Sequence, residues 1–139
     1  MRAHWLPVLT VVLSLAACAP ERAEADKKLS SACEAAIRAL AGPGAQIEIR
    51  TTAFEKGTGV ENVPLRIVKF TTLLVQDHGE VQGKSYTCSF KEQWHMFGVA
   101  QEFYSLEKDQ EKYGNFDGHI EGDILELQKI NDAVSKNLY

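Results

Sequence analysis

The segment "NFDGHIEGDILELQ" (115–128) places Asp117, His119, Glu121 and Asp123 at alternate positions ahead of an apolar-periodic run. Carboxylates and an imidazole so spaced are the donor types of a divalent-cation loop. Counted as a calcium loop from Asp117, Gly122 falls at the sixth position and Ile124 at the eighth. His119 and Glu121 then stand where Asp or Asn is preferred, and Gln128 replaces the bidentate glutamate. Counted from Asn115, Glu126 takes the twelfth position and the glycine is lost. Each register satisfies half of the pattern. Acidic residues feeding a helix N-terminus explain the same composition through the helix dipole, so neither a metal nor a cofactor is expected.

Other residues that could do chemistry are scattered. "GEVQGKS" (79–85) approaches a phosphate-binding loop but has three residues between its glycines where four are needed. A strand with Tyr86 and Phe90 follows it, not the helix N-terminus that would hold phosphate, so the segment reads as a turn. His78 falls in a turn and His95 in a strand, with no Ser or Cys nucleophile spaced to suggest a triad. No G-x-S-x-G, H-E-x-x-H or paired-carboxylate signature is present, so no catalytic residue is assigned and the chain is not expected to be an enzyme.

The chain of 139 residues, 24% of them charged, suffices for one compact domain. Its net charge of −4 and the lack of a Lys/Arg cluster exclude a nucleic-acid partner, which needs a basic face. The first residues combine a cationic start at Arg2, an apolar run from Leu6 to Leu15, and the small residues Ala16 and Ala17 before Cys18. This is the layout of an export signal. Roughly ten apolar residues are too few to cross a ~30 Å hydrocarbon core.

The residues "LAAC" (Leu15, Ala16, Ala17, Cys18) resemble the lipobox of bacterial lipoproteins. That resemblance implies cleavage before Cys18, thioether attachment of diacylglycerol to its sulfur, and acylation of the new amino terminus. Residues 1–17 would then be a removed signal, and 18–139 the mature chain with 14 basic and 19 acidic residues, net −5. At about 0.8 kcal/mol per buried methylene, one acyl chain anchors marginally and two or three anchor durably. Ala19, where an aspartate would favour inner-membrane retention, implies the periplasmic side of the outer membrane.

Assigning Cys18 to lipid leaves Cys33 and Cys88 as an even pair in an oxidising compartment, where a disulfide is expected. No C-x-x-C spacing suggests a redox role.

The elements follow from periodicity. "APERAEADKK" (19–28) is polar without apolar period and reads as a tether of at most ~35 Å, so 18–28 is expected to be a lipidated tether and 29–139 the single domain. Leu29, Ala32, Cys33, Ala36, Ile37 and Leu40 share one face of a helix that "GPG" (42–44) ends. Ile47 and Ile49 begin a strand, "EKGTG" (55–59) is a loose turn, and 65–76 is a central strand. "DHGE" (77–80) is a turn before a strand with Tyr86, Cys88 and Phe90 on one face. A further strand runs from Trp94 to Leu106, and 107–122 is an exposed connection. Within that strand, "WHMFGV" (94–99) reads as core, or alternatively as an exposed patch for a partner or acyl chain. A last helix starts at Asp123 and carries Ile124, Leu127, Ile130, Val134 and Leu138 as its apolar stripe.

The expected fold is α+β: an antiparallel sheet of about four strands with an N-terminal and a C-terminal helix on one face. "CEAAIRAL" on a helix with "YTCSF" on a later strand is similar to small exported bacterial domains, a likeness that transfers no functional residue. The expected function is a lipid-anchored binding or assembly module, held to the membrane through Cys18 and engaging an envelope protein. The alternative is a periplasmic inhibitor, since "YTC" (86–88) is similar to the Tyr-x-Cys of membrane-bound lysozyme inhibitors, although those are all-β barrels. A hydrolase ranks third.

Overall fold

The buried stripe of the first helix runs further toward the N-terminus than its apolar residues do. The computed structural model describes residues 18–75 and 81–139, with side chains described over 21–72 and 83–139. Residues 1–17, expected as a signal, and "DHGE" (77–80), expected as a turn and including His78, lie outside the described residues. Helix α1 spans Cys18–Ala41. Leu29, Ala32, Cys33, Ala36 and Ile37 are buried as the periodicity requires, and Ala25 continues the stripe one turn earlier. Arg22 and Asp26 extend it again, because their charges meet partners on the sheet. The segment 19–28 is therefore helix and not an irregular tether. A stripe continued by charged residues carries no apolar period, and so it reads as coil.

Six strands follow in the order β1 (Gln46–Thr58), β2 (Pro64–Val75), β3 (Val81–His95), β4 (Gly98–Lys108), β5 (Glu111–Phe116) and β6 (His119–Glu121). Each pairs antiparallel with the next in one sheet. Helix α2 (Ile124–Leu138) closes the chain. The α+β class with an N-terminal and a C-terminal helix is as expected, and the sheet has six strands, not about four. Both extra strands come from 107–122, expected as a connection. Asp109 (φ 54°) turns β4 into β5, and Asp117–Gly118 (φ 50° and 84°) turns β5 into β6. Asp-Gly with positive φ at both residues matches the right-handed twist of paired strands, a hairpin signal that the acidic composition obscures. Glu55–Thr58 of the "EKGTG" turn and the end of "GEVQGKS" are likewise strand, in β1 and β3.

Alternation in the strands builds the core. Val68, Phe70, Tyr86, Cys88, Phe90, Leu106 and Tyr113 line one face of the sheet, where α1 and α2 supply Leu29, Ala32, Ala36, Ile37, Ile130 and Val134. Register brings Val68 beside Cys88 and Cys88 beside Leu106. A bulge at Ser89/Phe90 inserts Tyr104, whose hydroxyl accepts the Val60 N–H at 3.1 Å. Gly114 (φ 105°) is required beside it, since a Cβ there would sit 2.5 Å from the Tyr104 carbonyl oxygen.

Asp123 caps α2: its side chain accepts from the N–H groups of Leu125 at 2.9 Å and Glu126 at 3.3 Å. Asp123→Ala removes that acceptor from donors that have no intrahelical partner. The expected cost is about 1 kcal/mol, read from urea denaturation, and a change under about 0.3 kcal/mol would show that the cap is not needed. The apolar stripe of α2 begins later than its sequence indicates. Ile130 and Val134 are buried, whereas Ile124 is 79% exposed and lies outside the core.

Candidate functional site at the end of the sheet

Three features meet where α1 begins: the tip of the β3–β4 hairpin, a charged network beneath it, and a groove between tip and helix. The hairpin pairs His95 with Gly98, so Met96 and Phe97 form a two-residue turn. "WHMFGV" is thus not one core strand. It is split between β3 and β4, and its centre is surface: Trp94 is 45% exposed, Met96 91% and Phe97 97%. An apolar stretch has no alternation to show where it folds back, and Gly98 (φ 139°) is the residue that marks the turn.

Below the tip, Arg22 of α1 bridges helix and sheet. Its guanidinium donates to both carboxylate oxygens of Glu92, the Oε2 contact being 2.8 Å, and also donates to Asp26. Arg66 of β2 donates to Asp26 in a bidentate pair at 2.7 and 3.0 Å. Glu92 further accepts from Gln101 Nε2 at 2.9 Å and from the Trp94 indole N–H at 3.1 Å. Arg22 lies over the Trp94 ring at 5.2 Å, a cation–π contact. Burial pushes the Glu92 carboxyl up, but donation from Arg22, Gln101 and Trp94 outweighs it and holds the group below the usual carboxylate range. Asp26 is also lowered, with burial opposed by hydrogen bonds from Arg66 and Arg22. The network locks the first turns of α1 onto β2 and β3 and holds Trp94 in place.

The groove of about 880 Å³ is bounded by Glu21, Glu24, Ala25 and Lys28 of α1 and by Trp94–Ala100 of the hairpin. One wall is charged and the other apolar. The C-terminus reaches the same end, where the Tyr139 hydroxyl donates to the Gln101 carbonyl at 2.9 Å.

The other residues singled out in the sequence fall as follows. Cys18 is the first residue of α1, at this same end. Cys33 and Cys88 form a disulfide with Cα atoms 5.8 Å apart, joining α1 to β3. Tyr86 of "YTC" is buried in the core. Asp117 lies in the β5–β6 turn, His119 and Glu121 on exposed β6, and Asp123 is committed to the α2 cap. Among the described residues, no three His, Cys, Asp or Glu side chains converge as a metal-binding group.

Sequence reasoning missed Arg22, Asp26, Arg66 and Glu92. Their signal was present as Arg22 and Asp26 at i,i+4 on the helical face that carries Leu29. Among the described residues, no helix is long and apolar enough to cross a membrane. Compared with protein-family models, with curated proteins and with solved structures, the chain gives no match in any of the three.

Proposed function

We propose that this chain is an exported lipoprotein, anchored through acyl chains on Cys18 to the periplasmic side of the outer membrane, and that its domain is a binding or assembly module. The single observation that carries the binding role is a pair of exposed apolar side chains at the start of α2, remote from Cys18. Ile124 is 79% exposed and its neighbour Leu125 66%. Because Tyr139 sits at the Cys18 end, the 15-residue helix α2 puts its first turn roughly 22 Å away along its axis. An anchored domain would therefore present these side chains away from the membrane, where an envelope protein can reach them. The disulfide supports the same compartment, since such bonds persist where glutathione and thioredoxin do not reduce them.

Membrane fractionation with Cys18→Ser tests the anchor. The variant should move to the soluble fraction with its circular dichroism unchanged, and retention in the membrane without acylation would overturn the anchored reading. Crosslinking from position 124 in native membranes tests the module. An envelope-protein adduct that Leu125→Asp abolishes supports it, and adducts with bulk lipid alone remove its basis.

A further inference from the structure

We propose that the tip of the β3–β4 hairpin is a second membrane contact, with Met96 and Phe97 entering the lipid interface beside the acyl chains of Cys18. This rests on the lipid-anchored reading and gives it a geometry. The core does not use these side chains, which are 91% and 97% exposed.

Their position relative to Cys18 follows from the contacts of α1 and β3. Helix and strand are tied at two levels, Cys33 to Cys88 and Arg22 to Glu92. From Arg22 to Cys18 the helix advances four residues, or roughly 6 Å. From Glu92 to Trp94 the strand advances two residues, or roughly 7 Å in the same direction. Cys18 and Trp94 are therefore level, and Met96 and Phe97 stand about one further residue pair beyond them, roughly 6 Å. A thioether-linked lipid places Cys18 at the head-group boundary, and interfacial apolar groups enter ~5–10 Å past it. Trp94 would then sit where amphipathic aromatic rings concentrate, its N–H on Glu92 and its ring facing the boundary.

Two observations select lipid over a protein as occupant. The chain preceding Cys18, or the acyl chains replacing it, must leave from the end of the molecule that carries the tip. A protein covering the tip would have to fit between the domain and its own anchor. Glu21 and Glu24 outnumber Lys28 along the groove, so the contact depends on apolar area and favours zwitterionic over anionic head groups.

A chain beginning at Cys18 holds every core residue, one unpaired thiol at Cys18 and one tryptophan, Trp94. Coupling Cys18 to a maleimide-bearing lipid in phosphatidylcholine vesicles supplies the anchor chemically, so the result does not depend on whether the cell acylates it. Trp94 emission should shift to the blue on coupling, with at least twofold quenching by bromine-substituted acyl chains and reduced quenching by aqueous acrylamide. The coupled double variant Met96→Ser/Phe97→Ser, which alters exposed residues alone, should lose the acyl-chain quenching. Coupled protein as open to acrylamide as free protein, and unaffected by bromine, overturns the proposal. So does a blue shift that tracks protein concentration without vesicles, which would mark a second copy as the occupant. Failure of the anchored reading shows separately, in the Cys18→Ser fractionation.

Discussion

Replacing Cys33 and Cys88 together with alanine should lower the unfolding free energy by about 4 kcal/mol, the loop-closure value for cysteines separated by 55 residues. Small domains hold about 5–15 kcal/mol in total, so the variant would sit near the limit of folding. The effect is large because of where the bond lies. It joins the middle of α1 to β3, and both sulfurs belong to a core in which neither cysteine is exposed. Without it, the unfolded chain regains the freedom of the whole segment from α1 to β3. The core also loses two sulfur atoms' worth of packing, which adds to the deficit. Thermal denaturation followed by circular dichroism should show the midpoint falling by on the order of 15 °C. Dithiothreitol added to the unfolded wild-type chain should reproduce most of that fall on refolding. A midpoint within about 3 °C of wild type would show that packing and the Arg22 and Asp26 ion pairs hold α1 to the sheet without the disulfide.

The second large effect is expected at Glu92. Glu92→Ala takes their shared acceptor from Gln101 Nε2 and the Trp94 N–H and leaves Arg22 with Asp26 alone, in a site where the Glu92 and Arg22 side chains are 10% and 28% exposed. Losing one of two acceptors from a partly buried guanidinium, together with the partner of two neutral donors, costs about 2 kcal/mol, since the groups left behind stay desolvated. Replacing both partners, as Arg22→Ala/Glu92→Ala, should cost less than the two single changes summed, because the desolvated guanidinium goes with its acceptor. Urea denaturation of both singles and the double would give a coupling above about 1 kcal/mol. Strict additivity would show that the two residues act independently.

The same network sets an acid limit. Folded Glu92 and Asp26 titrate below their usual range, through the hydrogen bonds that outweigh burial. Their contribution is complete above the unfolded carboxylate values of about 4 and is lost as pH falls through the lower folded values. Glu92→Gln should flatten the decline in stability as pH falls below about 5. An unchanged acid profile would place the sensitivity at other carboxylates.

What could be read from the sequence depended on whether an element's physics is local. The helix face from Leu29 to Leu40 and the inward residues Tyr86, Cys88 and Phe90 follow from period alone, because each buries a stripe of its own. The Asp123 cap is local as well, being made within three residues. Pairing Cys33 with Cys88 followed from parity once Cys18 was set aside, and the structure contains that bond. The start of α1 was not local: Arg22 and Asp26 are held in a helix against the sheet by Glu92, 70 residues away, and Arg66, 40 away. Only the fold places those countercharges, so a polar segment read alone as a tether. "WHMFGV" misled for the converse reason, since burial depends on what lies opposite, and beyond Glu92 a groove separates the hairpin from the helix. Residue type and spacing thus determined the α+β class and the disulfide partners. Tertiary structure decided which charged residues are interior, which apolar ones are surface, and that Cys18 and the hairpin tip lie at one end. Those outcomes depend on contacts between distant parts of the chain, which no local pattern encodes.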